Sequence, residues 1–478
     1  MKHALTISLA VLFALAIPAA GQEQAKESVA LTVYNGGYGV VREVRMLDVG
    51  EDGKVQFTDV AKRIDPTTVH FKSLTDKDAK LLEQNYQYDL VSAEKLLDKY
   101  IDKPLEIVAE GGRYAGTLLS FDGGQLVLRQ EDGKIVMIQR ADNVRDIRFS
   151  ALPGGLLTRP TLLWLVAGKA GRHTCEVTYQ TGGLGWHAEY VLVLGGDDAT
   201  ADLSGWVSVE NRSGKAYKGA HMKFIAGDVR REQPPAPRRV RGREMLMAAD
   251  ARGDAMEEKA FFEYHMYTLP RPTTVADNEI KQLEMFTPVR GFDVEKKFLY
   301  GPARNYRWRG GRNTNRSYGV TSDKKVQVFI HFRNDEKNKL GIPLPAGKVR
   351  VYKKDPADEA LEFIGEQRID HTPRNEKIEL EVGNAFDLVG ERRQTNFTVD
   401  NNRRMMTETI EIKLRNNKKP GEGPVTIRAK EPMHRSREWR ITEKSHDFEK
   451  LDAHTIAFDV KVEPDKEEVV TYTVEYRW

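Results

Sequence analysis

Cysteine is almost missing from this chain: Cys175 stands alone among 478 residues. No internal disulfide can form, so the apolar core must hold the fold, and a chain of this length can supply one. A strong charge of either sign is missing too. The formal net charge is +3, too small to imply a nucleic acid or a membrane surface, so only local clusters could argue for a charged partner. Catalytic signatures are also missing. There is no His-Glu-x-x-His, no Gly-x-Ser-x-Gly elbow and no phosphate loop ending in Gly-Lys-Ser/Thr. The eleven histidines are scattered, and His446, Asp447 and His454 read as exposed loop residues rather than metal ligands. No catalytic residue is singled out, and neither a metal nor any other cofactor is expected.

Long hydrophobic runs are absent after the first residues. Lys2 and His3 precede an apolar run from Ala4 to Ile17, followed by Pro18-Ala19-Ala20-Gly21 and a polar break. That order is the pattern of a secretory signal peptide, with cleavage expected after Ala20 or Gly21. The run is about 14 residues, short of the roughly 20 that span a bilayer as a helix. The expected mature protein is exported, periplasmic or extracellular, without a transmembrane segment. No nucleic-acid partner is expected in that compartment.

What is present is alternation. From Glu176 to Arg231, strands of period two are joined by Gly- and Asp-rich turns and carry Trp186 and Trp206, the pattern of a β-sandwich core. Cys175 is in phase with His173, Val177 and Tyr179 and reads as a small buried apolar residue. Four strand-like runs between Ser28 and Leu90 predict an N-terminal β-domain. Ser92 can cap a helix from Ala93 to Tyr100. Five short strands then follow, with hairpin signals at Gly111-Gly112, Asp122-Gly123-Gly124 and Asp132-Gly133, predicting a small closed barrel of the SH3 or Sm-like type. Residues 231–260, rich in Pro, Arg, Ala and Met and without period, predict a flexible insertion in which Arg238, Arg239, Arg241 and Arg243 form a basic tether. The chain ends in a strand whose residues Val470, Tyr472, Val474, Tyr476 and Trp478 share one face.

Several motifs together carry a resemblance. They are Gly185-Trp186-His187-Ala188-Glu189-Tyr190, Gly205-Trp206-Val207 with Glu210-Asn211-Arg212-Ser213-Gly214, and Ala226-Gly227-Asp228-Val229. Tyr264-His265-Met266-Tyr267, Leu344-Pro345-Ala346-Gly347-Lys348-Val349-Arg350-Val351-Tyr352 and Gly390-Glu391-Arg392 extend them. With these, the chain from about residue 160 to its end resembles the exported bacterial proteins grouped as domain of unknown function 4139, related to mucoidy-inhibitor-like proteins. The resemblance implies an all-β envelope protein and carries over no catalytic residue.

One stretch has the chemistry of a contact surface. In GPARNYRWRGGRNTNRSYG, the arginines Arg304, Arg307, Arg309, Arg312 and Arg316 are interleaved with Tyr306, Trp308 and Tyr318. Guanidinium groups pair bidentately with carboxylates or phosphates, and aromatic faces stack on sugars. Arg304, Tyr306, Arg307, Trp308, Arg309, Arg312 and Arg316 are therefore the candidate binding residues, with acidic polysaccharide or an envelope protein as partner. The expected fold class is all-β: antiparallel β-sandwich domains with a small SH3/Sm-like barrel module. The expected division is a signal peptide (1–21), an N-terminal β-domain (22–91), the barrel (92–151), a central sandwich (152–320) and a C-terminal sandwich (321–478). The expected role is binding or scaffolding in the cell envelope. A hydrolase acting on envelope polymers and an outer-membrane β-barrel are the alternatives.

Overall fold

A computed structural model describes residues 27–88, 92–140, 143–151, 157–227, 229, 256–301, 311–320 and 322–478. The expected signal peptide and residues 231–255 of the expected insertion lie outside the described residues. Among the described residues, strands dominate, with one α-helix, Ala93–Tyr100, and one 3-10 turn, Glu336–Asn338. The described residues form two compact units, one holding those of Val41–Gln180 together with residues 27–30, the other Leu31–Val40 with those of Thr181–Trp478.

In the first unit the helix begins where the sequence predicts. Ser92 Oγ accepts from the Lys95 N–H at 3.3 Å, Glu94 lies in the first turn, and Leu97 and Tyr100 are buried. The five strands that follow pair antiparallel, with the last, Val144–Phe149, beside the first, Pro104–Ala109, and Ile135–Gln139 at the far edge. Asp122 Oδ1 accepts from the amides of Gly124 and Gln125, both at 2.7 Å, which sets the predicted turn. The sheet does not close, which corrects the expected barrel. The helix takes the place of a closing ladder: Leu97 and Tyr100 pack with Leu105, Ile107, Leu118 and Leu126, and Tyr100 meets Phe149 edge-on at 4.8 Å.

The strand Thr161–Ala167, which the sequence places at the start of the central sandwich, lies between Lys54–Thr58 and Lys80–Gln87. Trp164 explains its position. Its ring packs on Phe57 at 5.3 Å and Phe71 at 5.1 Å, and its Nε1–H donates to Gln84 Oε1 at 3.0 Å. Cys175 is fully buried, as its phase predicts, and burial pushes its thiol pKa up to about 11.

The second unit has a five-stranded sheet ordered Glu279–Asp293, Thr200–Asn211, Leu184–Leu194, Gly347–Lys354, Leu361–Ile369. Its inner face buries Trp186 and Tyr190, and Trp186 packs on Phe224 of the strand Tyr217–Ala226. Trp206 corrects an expectation. It is 38% exposed, because Leu203, Gly205, Val207 and Val209 take the inward positions and Trp206 alternates outward. Gly205 leaves the room that the Phe286 ring fills; a Cβ there would sit 2.3 Å from that ring.

This unit also holds a nine-stranded sheet. Its order is Glu438–Lys444, Lys466–Arg477, Met405–Asn416, Lys377–Asp400, Lys325–Arg333, Glu295–Tyr300, Val425–Pro432, Thr455–Val462, Glu449–Asp452. Both flanks contribute to one core, in which Ile427 and Phe458 from one side join Ile412, Tyr472 and Tyr476 from the other. Phe458 and Tyr472 are 5.5 Å apart. The sandwich is thus one long sheet packed on itself. Among the described residues its two end strands pair on one side only, so this sheet is not closed into a barrel. The last strand buries Val470, Tyr472, Val474 and Tyr476 as predicted. Thr473 and Glu475 on its other face are also buried, because the strand has neighbours on both sides and Glu475 is held by Arg440 at 3.0 Å and Arg477 at 2.8 Å.

Candidate functional site

Of the candidate binding residues, Arg304, Tyr306, Arg307, Trp308 and Arg309 lie outside the described residues. Arg312 and Arg316 are described and exposed. The Arg312 guanidinium lies over the Trp478 ring, 5.1 Å from its centre, which joins the basic stretch to the end of the last strand. Around Arg316 the backbone is shaped by asparagines. Asn313 Oδ1 accepts from the Asn315 amide at 3.1 Å, and Asn315 Oδ1 accepts from the Ser317 amide at 2.9 Å.

Beneath this segment are two fully buried arginines. Arg435 donates to both oxygens of Glu408, Nε to Oε2 at 3.0 Å and Nη2 to Oε1 at 2.8 Å. Its remaining donors reach backbone carbonyls of the basic stretch, Asn315 at 2.7 Å and Tyr318 at 2.8 Å, with Asn313 at 3.4 Å. The plane of the guanidinium rests 4.4 Å from the centre of Phe397. Arg392 behaves alike. Its Nε donates to both oxygens of Glu431 at 3.0 and 2.9 Å, and its Nη1 to the Gly319 carbonyl at 2.6 Å. Tyr472 donates its hydroxyl to Glu431, and Gln394 donates to Glu408 at 2.9 Å.

Removing such charges from water costs several kcal/mol per ion, on the order of what their attraction returns, and only further hydrogen bonds tip the balance. Here those bonds exist, and their acceptors are the carbonyls of one segment. Burial opposes the charge on Arg392, yet the adjacent Glu431 carboxylate outweighs it and raises the Arg392 pKa above its ordinary value. Arg392 is therefore cationic at any physiological pH.

His434 completes the seat. Its Nδ1 lies 2.9 Å from the Pro432 carbonyl, so Nδ1 carries the proton, and burial lowers its pKa and keeps the ring neutral at pH 7. Tyr318 packs on the same ring at 5.3 Å. Gly319 passes across it with φ +79°, and a Cβ there would stand 2.2 Å from His434 Nε2. At the other end of the basic stretch, the Tyr300 ring lies flat against Gly390, whose Cβ would be 2.2 Å from it. Burial pushes the Tyr300 hydroxyl pKa up to about 12.

The sequence reading passed over Glu408, Glu431 and Arg435, and met Arg392 only as part of a motif. The signal was there. Glu408 has the same parity as the core residues Met406, Ile410 and Ile412, and Glu431 the same parity as Val425, Ile427 and Ala429. A charge at an inward position of a strand announces a buried partner.

Residues 175–478 match a family model described as Domain of unknown function (DUF4139). The chain belongs to that family. No curated protein matches it. The DUF4139 region takes in every residue of the buried arginine pairs. Its motif residues have structural tasks where the structure describes them. Trp186 Nε1–H donates to the Ile225 carbonyl at 3.1 Å, and Tyr190 donates its hydroxyl to the Pro345 carbonyl at 2.8 Å. The Asn211 side chain bridges the carbonyls of Lys215 and Ala276 at 2.8 and 2.9 Å. Among the described residues, no three His, Cys, Asp or Glu side chains gather in a way that could hold a metal.

Proposed function

We propose that this DUF4139 chain is an exported cell-envelope binding or scaffolding protein that engages an anionic partner, acidic polysaccharide or an envelope protein, through residues 300–319. One observation carries the reading. Arg435 and Arg392 direct their spare donors to the carbonyls of Asn315, Tyr318 and Gly319, so two buried ion pairs serve to fix the backbone that bears Arg312 and Arg316. A pre-set backbone lowers the ordering cost of binding. The signal-like residues 1–21 support the compartment, and the alternation of arginine with aromatic residues supports the class of partner.

The test is retention of the mature chain on an anionic-glycan column at low salt. Replacing Arg304, Arg307, Arg309, Arg312 and Arg316 by Ser should bring elution markedly earlier, an effect that fades as salt screens the charges. Elution at an unchanged position would overturn the reading.

A further inference from the structure

The outer face of the nine-stranded sheet carries a second feature, independent of the basic stretch. A cavity of about 250 Å³ opens there. Alternation puts it opposite the core: Leu299, Phe329, Arg428 and Lys430 point out where Phe298, Ile330, Ile427 and Ala429 point in. The register brings the outer residues together, setting Lys297 opposite Phe329, Leu299 opposite Arg428 and His331 opposite Glu379. Leu451 and Glu449, from the edge strand Glu449–Asp452, close one side.

Two buried polar atoms on residues lining this cavity have no hydrogen-bond partner, His331 Nδ1 and Arg428 Nε. Each has a carboxylate nearby but beyond hydrogen-bond reach, Glu379 Oε1 at 3.6 Å and Asp459 Oδ1 at 3.7 Å. A buried polar atom left unpaired costs about 1–3 kcal/mol, a cost that a ligand or water meeting it relieves. The charge around them is uneven. Four cationic side chains, Lys297, Lys377, Arg428 and Lys430, face two carboxylates, Glu379 and Glu449. Lys377 already pairs with Glu379 at 2.9 Å, Lys297 with Glu295 at 2.9 Å, and Arg428 Nη2 with Glu449. Lys430 meets no carboxylate at ion-pair distance among the described residues. Phe329, Leu299 and Leu451 supply apolar surface beside these cations.

We propose that this cavity binds a compact organic carboxylate, its anionic group held by Lys430 and Arg428 and its flat apolar or sugar face laid on Phe329 and Leu451. The volume suits one ring with its substituents, near the lower end of the roughly 300–1,000 Å³ of small-molecule sites. Burial lowers the pKa of His331 despite the adjacent Glu379, so its ring is neutral at pH 7 and can accept or donate one hydrogen bond to the ligand's polar edge.

Isothermal titration calorimetry on the mature chain at low salt tests this with three probes: benzoate for an aryl acid, glucuronate for a sugar acid and inorganic phosphate for a bare anion. One carboxylate should bind at a single site, more tightly than phosphate. Lys430→Met should weaken it at least tenfold, and Leu451→Glu, which adds a repelling charge at the rim, should abolish it. Each variant is first checked by a thermal melt. Replacing Arg312 and Arg316 by Ser should leave this binding unchanged while shifting the glycan column, which separates the two sites. Binding of neither carboxylate, or of phosphate as tightly as either, would overturn the proposal. So would full affinity in both Lys430→Met and Leu451→Glu.

Discussion

The two faces of the strand Val425–Pro432 use the same residue types to opposite ends. On the inner face, Glu431 meets Arg392 and Tyr472 with its lone pairs occupied, and nearby Arg435 directs its donors to Glu408 and the basic stretch. On the outer face, Arg428 keeps a buried Nε without a hydrogen bond, and Lys430 lines the cavity. The difference teaches how to separate charge that builds a fold from charge that awaits a ligand. What matters is whether each donor is used, not how deeply it lies.

The sharpest way to break this comparison is at the inner face. Removing Thr471–Trp478 deletes the aromatic face of the last strand, where each covered ring contributes roughly 2–3 kcal/mol. The truncated chain should be insoluble; a soluble product with a cooperative melt would deny the strand its place. Next in size is Arg435→Met, which leaves Glu408 buried and uncompensated. It should cost about 3–5 kcal/mol in denaturant unfolding, whereas the double variant Arg435→Met/Glu408→Leu should recover most of that loss. A smaller effect belongs to Gly319→Ala, which forces a side chain onto a left-handed backbone and against His434. A loss of about 1–3 kcal/mol is expected by the same measurement.

Acid gives a graded version of the test. His434 has a folded-state pKa below that of the unfolded chain because it is buried, so the unfolded state binds the proton more readily. Its contribution is fully present above the unfolded value near pH 6.5 and is lost as pH falls through and below it. Melting temperature should therefore drop between pH 7 and pH 5, and His434→Gln should flatten that slope. The smallest effect sharpens the contrast from outside: Lys430→Met should change stability by less than about 0.5 kcal/mol.

Much of the fold was legible because strand alternation is local. The helix Ala93–Tyr100, the last strand's inner face and the burial of Cys175 all follow from neighbours a few residues apart. What could not be read was pairing over distance. Nothing local tells Thr161–Ala167 to lie between Lys54–Thr58 and Lys80–Gln87, or tells five short strands to rest on a helix instead of closing. Trp206 misled for a related reason: its size suggested core, while its parity, set by Val207 and Val209, sends it outward. The basic stretch was visible from composition. Its anchors were not, because Arg435 lies between strands, 27 residues from Glu408, and only the inward strand position of Glu408 betrays the pair.

Amide hydrogen exchange on the Arg435→Met/Glu408→Leu variant tests the clamp most directly, since that variant should keep the fold. The amides of Asn313 and Tyr318, which bond the Arg435 and Asn315 carbonyls in the intact chain at 2.8 and 3.1 Å, should exchange far faster. Those in the strand Met405–Asn416 should keep their protection. Unchanged protection across residues 313–319 would contradict the claim that the buried arginines hold this segment in place.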